Sequence, residues 1–359
     1  MKEKNKYRVI GLMSGTSMDG LDIAYCKLAN KKNKWRSEII KAITVKYSSL
    51  WKKKLSNAHK LRTEDLLALH AEYGSYLGQS CHDFIKTHKI KKVDFIASHG
   101  HTIFHQPQRN FTFQLGEGNA IRAKAGVPVV ADFRSLDVTL GGQGAPLVPI
   151  GDRYLFHNFD ICLNLGGISN LSMEVKEQRK AFDVCFVNMG LNYLASQAKK
   201  EFDKNGAMAS SGKINSSLLQ KLSKVYSSFR KSRPSLGREG FEKWMQPLLN
   251  DRKISLNDRL RTFSESIAIE IAGAVPHSDK KLKLLATGGG ALNSFLIMLL
   301  REKLKNKAEV IVPDKIVINF KEALVFALLG VLRIRNEVNV LKSVTGAKRD
   351  SSSGVMIGL

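Results

Sequence analysis

The chain contains little cysteine and proline and few acidic residues. Its 359 residues include 4 cysteines and 8 prolines, and 32 acidic residues stand against 57 basic ones. The cysteines are widely spaced and include no C-x-x-C pair; they are Cys26, Cys81, Cys162 and Cys185. Such spacing argues against both a disulfide framework and a zinc site, and it fits a protein of a reducing compartment.

Long hydrophobic runs are also missing. The longest strongly apolar stretch, Ala323–Leu332, has about half the length that a membrane span requires. The apolar stretch Tyr7–Met13 contains an arginine and leads into a glycine-rich turn, unlike a signal peptide. Because 43% of the residues are hydrophobic and 25% are charged, the composition is that of a globular protein. We therefore expect a soluble, cytoplasmic protein of about two domains that has no membrane partner.

The shortage of acidic residues leaves a formal net charge of +25. A nucleic-acid-binding protein usually gathers its positive charge into one stripe, often beside stacking aromatic residues. Here the lysine clusters, such as KKNK at 31–34 and KKLK at 280–283, are scattered between apolar segments. We therefore expect no nucleic-acid partner, although the positive field would attract anionic small molecules such as nucleotides.

Strand and helix patterns alternate along the whole chain, which predicts an α/β fold. A strand, a tight glycine turn and a second strand open the first half, and the same succession opens the second half. The predicted segments are Tyr7–Met13, Ser14–Gly20 and Leu21–Leu28, then Asp160–Leu165, Gly166–Ser169 and Asn170–Val175. This repetition suggests a duplicated domain.

Three segments are rich in glycine. MSGTSMDG (13–20) combines glycines and hydroxyl residues, which suit phosphate oxygens, with Asp19, which suits a Mg²⁺-bound water or a transferred proton. A plain β-hairpin turn needs the same residue types, so both interpretations stand. LNLGGISNLS (163–172) is the equivalent turn of the second half. In ATGGGALNSFL (286–296), three glycines lead from a strand into a helix, which is typical of either an anion site or a tight turn.

Polar side chains follow the strands of the first half. SHGHTIFHQ (98–106) contains His99, His101 and His105, but no nearby carboxylate or cysteine completes a regular zinc site, and we prefer a substrate-facing role. In ADFRSLDVTLGGQGAPLVP (131–149), Arg134 has two open interpretations. It either binds a substrate carboxylate through its guanidinium fork or pairs with Asp132 or Asp137 and fixes the loop.

Two carboxylates lie next to apolar segments. Asp183 is expected at the end of a short apolar strand, where burial would raise its pKa towards that of a general base. The alternative is an aspartate that fixes a loop or a helix start. Glu322 opens the apolar helix KEALVFALL, where it would also favour the helix dipole.

Taken in order, MSGTSMDG, SHGHTIFHQP, DFRSLDVTLGGQGAPLVP, NLGGISNLS, ATGGGALN and KEALVFALL resemble the anhydro-N-acetylmuramic acid kinase family. The resemblance runs from about Tyr7 to the tail. It implies two ribonuclease-H-like domains of the actin and hexokinase type with a central nucleotide cleft, and a homodimer. We expect residues 1–135 plus 338–359 to form the N-terminal domain and residues 136–337 the C-terminal domain.

The resemblance also implies a reaction in cell-wall recycling. ATP and water would convert 1,6-anhydro-N-acetylmuramate into N-acetylmuramate 6-phosphate and ADP, with Mg²⁺ as cofactor and Asp19 as the candidate to reach it. Asp183 matches the catalytic aspartate, and His99, Arg134 and Glu322 are the expected sugar-binding residues. The expected nucleotide-binding residues are Gly15, Thr16, Ser17, Met18, Asp19, Gly20, Leu21, Asp22, Gly166, Gly167, Gly288, Gly289 and Gly290.

One segment departs from the family pattern. The family usually has TGPGN after the catalytic aspartate, whereas Asp183 is followed here by VCFVN, which keeps only Asn188. The loss of the glycines and the threonine predicts a reshaped substrate loop. The alternatives are therefore a kinase of the same fold for another sugar and a catalytically impaired nucleotide-binding protein.

Overall fold

The computed structural model describes residues 4–15, 18–32 and 34–359. The chain divides into two compact units. Unit 1 comprises Met1–Leu155 and Phe320–Leu359, and unit 2 comprises Phe156–Asn319.

Twelve strands occur within the described residues. They are β1 (Lys6–Ser14), β2 (Gly20–Lys31), β3 (Lys34–Lys46), β4 (Phe95–Gln106), β5 (Phe111–Leu115), β6 (Val129–Ala131), β7 (Ile161–Leu165), β8 (Ile168–Val175), β9 (Gln178–Phe186), β10 (Leu282–Thr287), β11 (Ala308–Ile311) and β12 (Val355–Ile357).

The α-helices of the same residues alternate with these strands. They are α1 (Ser49–Asn57), α2 (Thr63–Thr87), α3 (Gly118–Ala125), α4 (Ser135–Thr139), α5 (Val148–Leu155), α6 (Asn188–Ser196), α7 (Ala207–Ser210), α8 (Ser216–Ser232), α9 (Arg238–Gly240), α10 (Gln246–Leu249), α11 (Leu256–Ala274), α12 (Ser294–Leu304), α13 (Lys315–Ile334) and α14 (Lys342–Thr345). A π-helical turn, Phe241–Met245, joins α9 to α10.

The sheet of unit 1 has the strand order β12-β6-β4-β1-β2-β3, with β5 paired to β4. Strands β1, β2 and β3 form an antiparallel meander, whereas β4 lies parallel to β1 and β6 lies parallel to β4. The sheet of unit 2 has the order β11-β10-β7-β8-β9. Its strands β7, β8 and β9 are an antiparallel meander, and β10 and β11 continue it in parallel.

The two sheets therefore share one plan. Each has a meander of three strands, and beyond its first strand the sheet continues with two parallel strands that come later in the chain. This is the ribonuclease-H-like arrangement, and it confirms the expected α/β fold built from two such domains. The repeated glycine turns indicated this duplication in the sequence because each one joins the first two strands of a unit.

The boundaries between the units differ from the expected ones. The chain passes into unit 2 after Leu155 rather than after residue 135, and it returns at Phe320 rather than at residue 338. The physical reason is that α4 and α5 pack within unit 1. Thr345 donates a hydrogen bond to Asp137 of α4 at 2.8 Å, and Gly151 of α5 packs against Val325 of α13.

Helix α2 illustrates how the sequence specifies these elements. Glu64 and Asp65 lie in its first turn and Lys86 in its last, which suits the helix dipole. Its large buried side chains recur every three or four residues and face the sheet; they are Leu69, Tyr73, Leu77, Cys81 and Phe84. The helix begins at Thr63, with Arg62 as the residue that precedes it.

Apolar clusters form the core of each unit, and the four cysteines, all within the described residues, are buried and form no disulfide. Within residues 4–15, 18–32 and 34–359, none of the helices combines the length and apolar character that a membrane crossing requires.

Candidate functional site

The turn between β1 and β2 is the first glycine-rich segment. Met18 donates a backbone hydrogen bond to Gly15 at 3.2 Å and has a left-handed backbone, with φ 57°. Asp19 is exposed, whereas Leu21 is buried in the core, which leaves its side chain no access to a ligand. Thr16 and Ser17, both predicted to bind nucleotide, lie outside the described residues.

A buried polar network lies at the end of β1, where this turn begins. Ser14, the last residue of β1, bonds His101 Nδ1 at 2.8 Å and accepts a 2.8 Å hydrogen bond from Tyr47. The Tyr47 hydroxyl bonds that of Tyr73 at 2.6 Å. Burial lowers the pKa of His101 to about 4, so its ring is neutral at pH 7. Because buried polar groups need partners, this network fixes the base of the turn.

The predicted sugar-binding residues come together in unit 1. Arg134 donates to His99 Nε2 from Nε at 3.0 Å and from Nη2 at 2.9 Å, and its Nη1 donates to Gly144 at 2.5 Å. The ring of His99 lies 4.7 Å from that of Phe326 on α13. His99, which lies within β4 rather than after it, also lines a cavity of about 220 Å³ beside the end of β6. Arg134 thus fixes the loop, but through His99 and Gly144 rather than through Asp132 or Asp137.

Glu322 belongs to the same group of charges. Helix α13 packs directly on β1, where a Cβ at Gly11 would collide with the Ala323 carbonyl oxygen. Burial raises the pKa of Glu322, and so does the charge of Asp22, whereas Lys321 and Arg134 lower it. Burial likewise raises the pKa of Asp22, although the hydrogen bond from Thr44 at 2.5 Å opposes this. The structure therefore places Glu322 within electrostatic range of both Asp22 and Arg134.

The histidines of β4 do not form a metal site. No group of three or more His, Cys, Asp or Glu residues among residues 4–15, 18–32 and 34–359 has the arrangement of a metal centre. Burial and the charge of Arg134 hold the pKa of His99 well below its usual value, and His105 is shifted in the same direction. The neutral ring of His99 therefore serves as an acceptor that orients the guanidinium of Arg134.

The glycine turns of unit 2 lie at the ends of neighbouring strands. Strands β7 and β10 are parallel, with Asn164 opposite Thr287, so that their carboxyl ends meet. Gly167 and Gly289 are exposed, and a Cβ at either would meet nothing closer than 3.6 Å. Gly288 has φ 80° and packs against Leu165, so it must be glycine for the turn itself. The exposed glycines leave bare backbone that a flat or anionic ligand can approach.

Asn188 connects these two turns. Its Nδ2 donates to the Leu165 carbonyl at 3.0 Å, and its backbone N–H donates to Gly166 at 3.1 Å. Its Oδ1 would lie 3.4 Å from a Cβ built at Gly290. In the segment VCFVN after Asp183, Asn188 is the one residue that matches the TGPGN pattern of the family. This match is the feature of the sequence that pointed to Asn188.

Asp183 lies within β9 rather than at its end, because the strand continues to Phe186. The backbone N–H of Leu236 donates to its Oδ2 at 2.9 Å. Burial raises the pKa of Asp183, and the Leu236 hydrogen bond partly opposes this. The result is a half-buried carboxylate in a largely apolar environment, and its raised pKa makes it a stronger base than an exposed aspartate. No local pattern in the sequence pointed to Leu236, which is 53 residues away.

The segment that departs from the family pattern is not a loop. Val184, Cys185, Phe186 and Val187 are all buried in the core of unit 2. Val187 donates a backbone hydrogen bond to Gly167 at 2.8 Å, and Ser169 bonds Cys185 through its hydroxyl. The apolar residues that follow Asp183 therefore belong to β9 and the core, and Val187 supports the Gly166–Gly167 turn.

Comparison with known proteins gives a consistent result over the whole chain. Residues 7–358 match the family model described as anhydro-N-acetylmuramic acid kinase. The chain is 35% identical to the anhydro-N-acetylmuramic acid kinase of a Sulfurovum species, covering 98% of this chain and 99% of that protein. It is 34% identical to the enzyme of the same name from Vibrio parahaemolyticus, covering 97% of each.

Among solved structures, the chain is similar to the activator of the 2-hydroxyisocaproyl-CoA dehydratase from Clostridium difficile with bound ADPNP. The identity is 14% and the TM-score 0.42, over 91% of this chain and 96% of that one. That similarity is too low to bear on function. The match to the family model and the identities over the full chain length show instead that this chain belongs to the anhydro-N-acetylmuramic acid kinase family.

Proposed function

We propose that this protein uses ATP and water to open the ring of 1,6-anhydro-N-acetylmuramic acid and to phosphorylate its O6. The product would be N-acetylmuramic acid 6-phosphate, as a step in cell-wall recycling. The observation that carries the proposal is Asp183, a half-buried carboxylate of raised pKa with Leu236 on one oxygen. Curated relatives that bear the name of this kinase support it.

ATP would be bound by the glycine-rich turns, each within its own unit. In unit 2, exposed Gly167 and Gly289 suit close contact with the nucleotide, and Gly166, Gly288 and Gly290 hold the turns in shape. In unit 1, the segment from Gly15 to Asp22 would contact the phosphates. The Ser14 network supports this assignment because it fixes the strand end from which that segment starts.

Mg²⁺ would be bound mainly through the ATP phosphates and water, with Asp19 and Asp22 as the nearby carboxylates of unit 1. The residues fit this mode, because Mg²⁺ usually keeps several waters and needs only one or two carboxylates. When bound, Mg²⁺ would neutralise the charge on the phosphates.

The sugar would be bound by His99, Arg134 and Glu322. Their hydrogen-bonded and electrostatic grouping supports a common role, and the cavity of about 220 Å³ beside His99 offers room for part of the ligand. Glu322 has a raised pKa and would accept hydrogen bonds from sugar hydroxyls.

The reaction would proceed through Asp183. Its carboxylate takes a proton from water, the hydroxide oxygen bonds to the anomeric carbon, and the bond from that carbon to O6 breaks. The electron pair that O6 receives attacks the γ-phosphorus of ATP, and ADP leaves. Asp183 then releases its proton to solvent, which completes the balance.

Mass spectrometry tests this proposal directly. The protein is incubated with ATP, Mg²⁺ and 1,6-anhydro-N-acetylmuramic acid, and the sugar should gain the mass of one water plus one phosphoryl group. Gain of a phosphoryl group alone on a reducing sugar such as N-acetylglucosamine, with no change in the anhydro sugar, would identify an ordinary sugar kinase instead. The family resemblance also motivates a cytoplasmic homodimer, which light scattering on the purified protein checks.

A further inference from the structure

The segment between α8 and α9 lies against the proposed catalytic base. Arg233 ends α8 in a left-handed conformation, with φ 45°, and Pro234 follows it. The side chain of Leu236 is buried at 8% exposure, and its backbone N–H donates to Asp183 Oδ2 at 2.9 Å. The segment is therefore stiff, and it delivers one hydrogen bond to the carboxylate.

Arg233 attaches this segment to β9. Its guanidinium carbon lies 4.0 Å from the ring centroid of Phe182, the residue before Asp183. Within the part of the chain that the structure describes, its side chain makes no salt bridge, and the nearby Glu270 is engaged by Arg230. Because the guanidinium of Arg233 has no carboxylate partner there, its stack on the Phe182 ring is its main attachment.

The two contacts act on neighbouring residues of one strand. Leu236 bonds Oδ2 of Asp183, whereas Oδ1 has no hydrogen-bond partner among residues 4–15, 18–32 and 34–359. A general base works best when one oxygen is held and the other is free to accept the proton, as with an oriented catalytic histidine. Loss of the stack on Phe182 would release the segment and let the carboxylate rotate.

We propose that Arg233 is a positioning residue that, through its stack on Phe182 and the Leu236 N–H, holds the carboxylate of Asp183 in the orientation that activates water. This inference rests on the proposed function, since it assigns the base role to Asp183. Arg233 itself does not touch the reacting atoms in this account. Its contribution is therefore expected in the rate of turnover rather than in substrate affinity.

The test compares kinase turnover of the wild-type protein with Arg233→Ala, Arg233→Lys and Phe182→Leu. Arg233→Ala should lower kcat about three- to tenfold, the effect of one cation–π contact, and leave KM for ATP unchanged. Arg233→Lys keeps a cation over the ring and should restore most of kcat. Arg238→Ala is the matched control, because Arg238 pairs with Glu242 on the surface of the next helical turn and should leave kcat unchanged.

The double variant Arg233→Ala with Phe182→Leu should be no slower than the slower single variant, since both changes remove the same contact. Wild-type kcat in Arg233→Ala, no rescue by lysine, or additive effects in the double variant would each overturn the inference. Absence of turnover in the wild-type protein would instead overturn the proposed function. Circular dichroism and thermal unfolding verify that each variant is folded.

Discussion

Arg134 donates two hydrogen bonds to the same ring nitrogen, Nε2 of His99, at 3.0 and 2.9 Å. An accepting Nε2 requires the neutral ring with its proton on Nδ1, which donates to the Gly100 carbonyl at 2.9 Å. Burial also lowers the pKa of Arg134 to about 10, while Glu322 and Asp137 oppose that shift. The pair therefore presents a charged guanidinium fixed by an uncharged imidazole.

Replacement of His99 by leucine should destabilise unit 1. Arg134 would lose the acceptor for two N–H groups, and an unsatisfied buried donor costs roughly 1–3 kcal/mol. His99→Gln retains an acceptor oxygen and should cost less. Urea unfolding of both variants checks the order, and equal free energies of unfolding would show that the hydrogen bonds contribute nothing.

Stability should fall below pH 6.5 because of His101. Its pKa is about 4 in the folded state against 6.5 as the ordinary value, so the unfolded state binds more protons between these limits. The stability that the neutral ring of His101 contributes is complete above pH 6.5 and is lost as the pH falls towards 4. At pH 5 the loss for this one group is about 2 kcal/mol.

The measurement for His101 is the free energy of unfolding at pH 7 and pH 5 for the wild-type protein and His101→Gln. The glutamine variant keeps polar atoms near Ser14 but does not titrate, so its pH dependence should be smaller. A pH dependence identical to that of the wild-type protein would assign the effect to other groups.

Gly289→Leu should weaken ATP binding without unfolding the protein. Gly289 is exposed, and a Cβ there would lie 3.6 Å from Asn188, which is an ordinary contact. A bulky side chain would cover the backbone that the nucleotide approaches, and we expect a loss of affinity of about tenfold or more, or at least 1.4 kcal/mol. Calorimetric titration with ATP measures it.

The matched control for Gly289→Leu is Gly273→Leu on α11, which is likewise exposed and where a Cβ meets nothing within 4 Å. That variant should bind ATP like the wild-type protein. If both variants bind ATP normally, the glycine turn of β10 does not contact the nucleotide.

The acid limb of the kcat profile should lie above the ordinary pKa of an aspartate. Burial raises the pKa of Asp183, and turnover needs the ionised form, so kcat falls as the pH drops through that raised value. Turnover rates between pH 4 and pH 8, measured at saturating ATP and sugar, give this limb. A flat profile down to pH 4 would exclude Asp183 as a base of raised pKa.

Much of the fold was predictable because it depends on local patterns. The apolar strands and the glycine turns that join them follow from periodicity, and the predicted strand Asp160–Leu165 is observed as β7, Ile161–Leu165. Strand β12 was not predicted, because its three residues Val355–Ile357 gain their order only by pairing with β6. The boundary after Leu155, later than the predicted residue 135, also depends on a contact between distant parts of the chain. Helix α5 packs against α13 and therefore belongs to unit 1.

The residue types of the candidate site could be predicted from the sequence, but the hydrogen-bond partners of these residues could not. His99, Arg134 and Glu322 were expected together, and the structure groups them in unit 1. Arg134 was expected to pair with a carboxylate, and it bonds a histidine instead. His99 follows Ser98 of β4, which pairs with Ala131 at the end of β6, shortly before Arg134. Leu236 was missed because it acts through its backbone N–H, which every residue except proline carries.

Oxygen isotope transfer tests the central claim most directly. The wild-type protein and Asp183→Asn are incubated for minutes with ATP, Mg²⁺ and 1,6-anhydro-N-acetylmuramic acid in ¹⁸O-labelled water. Finished product held in the same water serves as the control for exchange. The account predicts one ¹⁸O at the anomeric hydroxyl of the phosphorylated sugar and no product from Asp183→Asn. Unlabelled phosphorylated product, or equal turnover by Asp183→Asn, would contradict it.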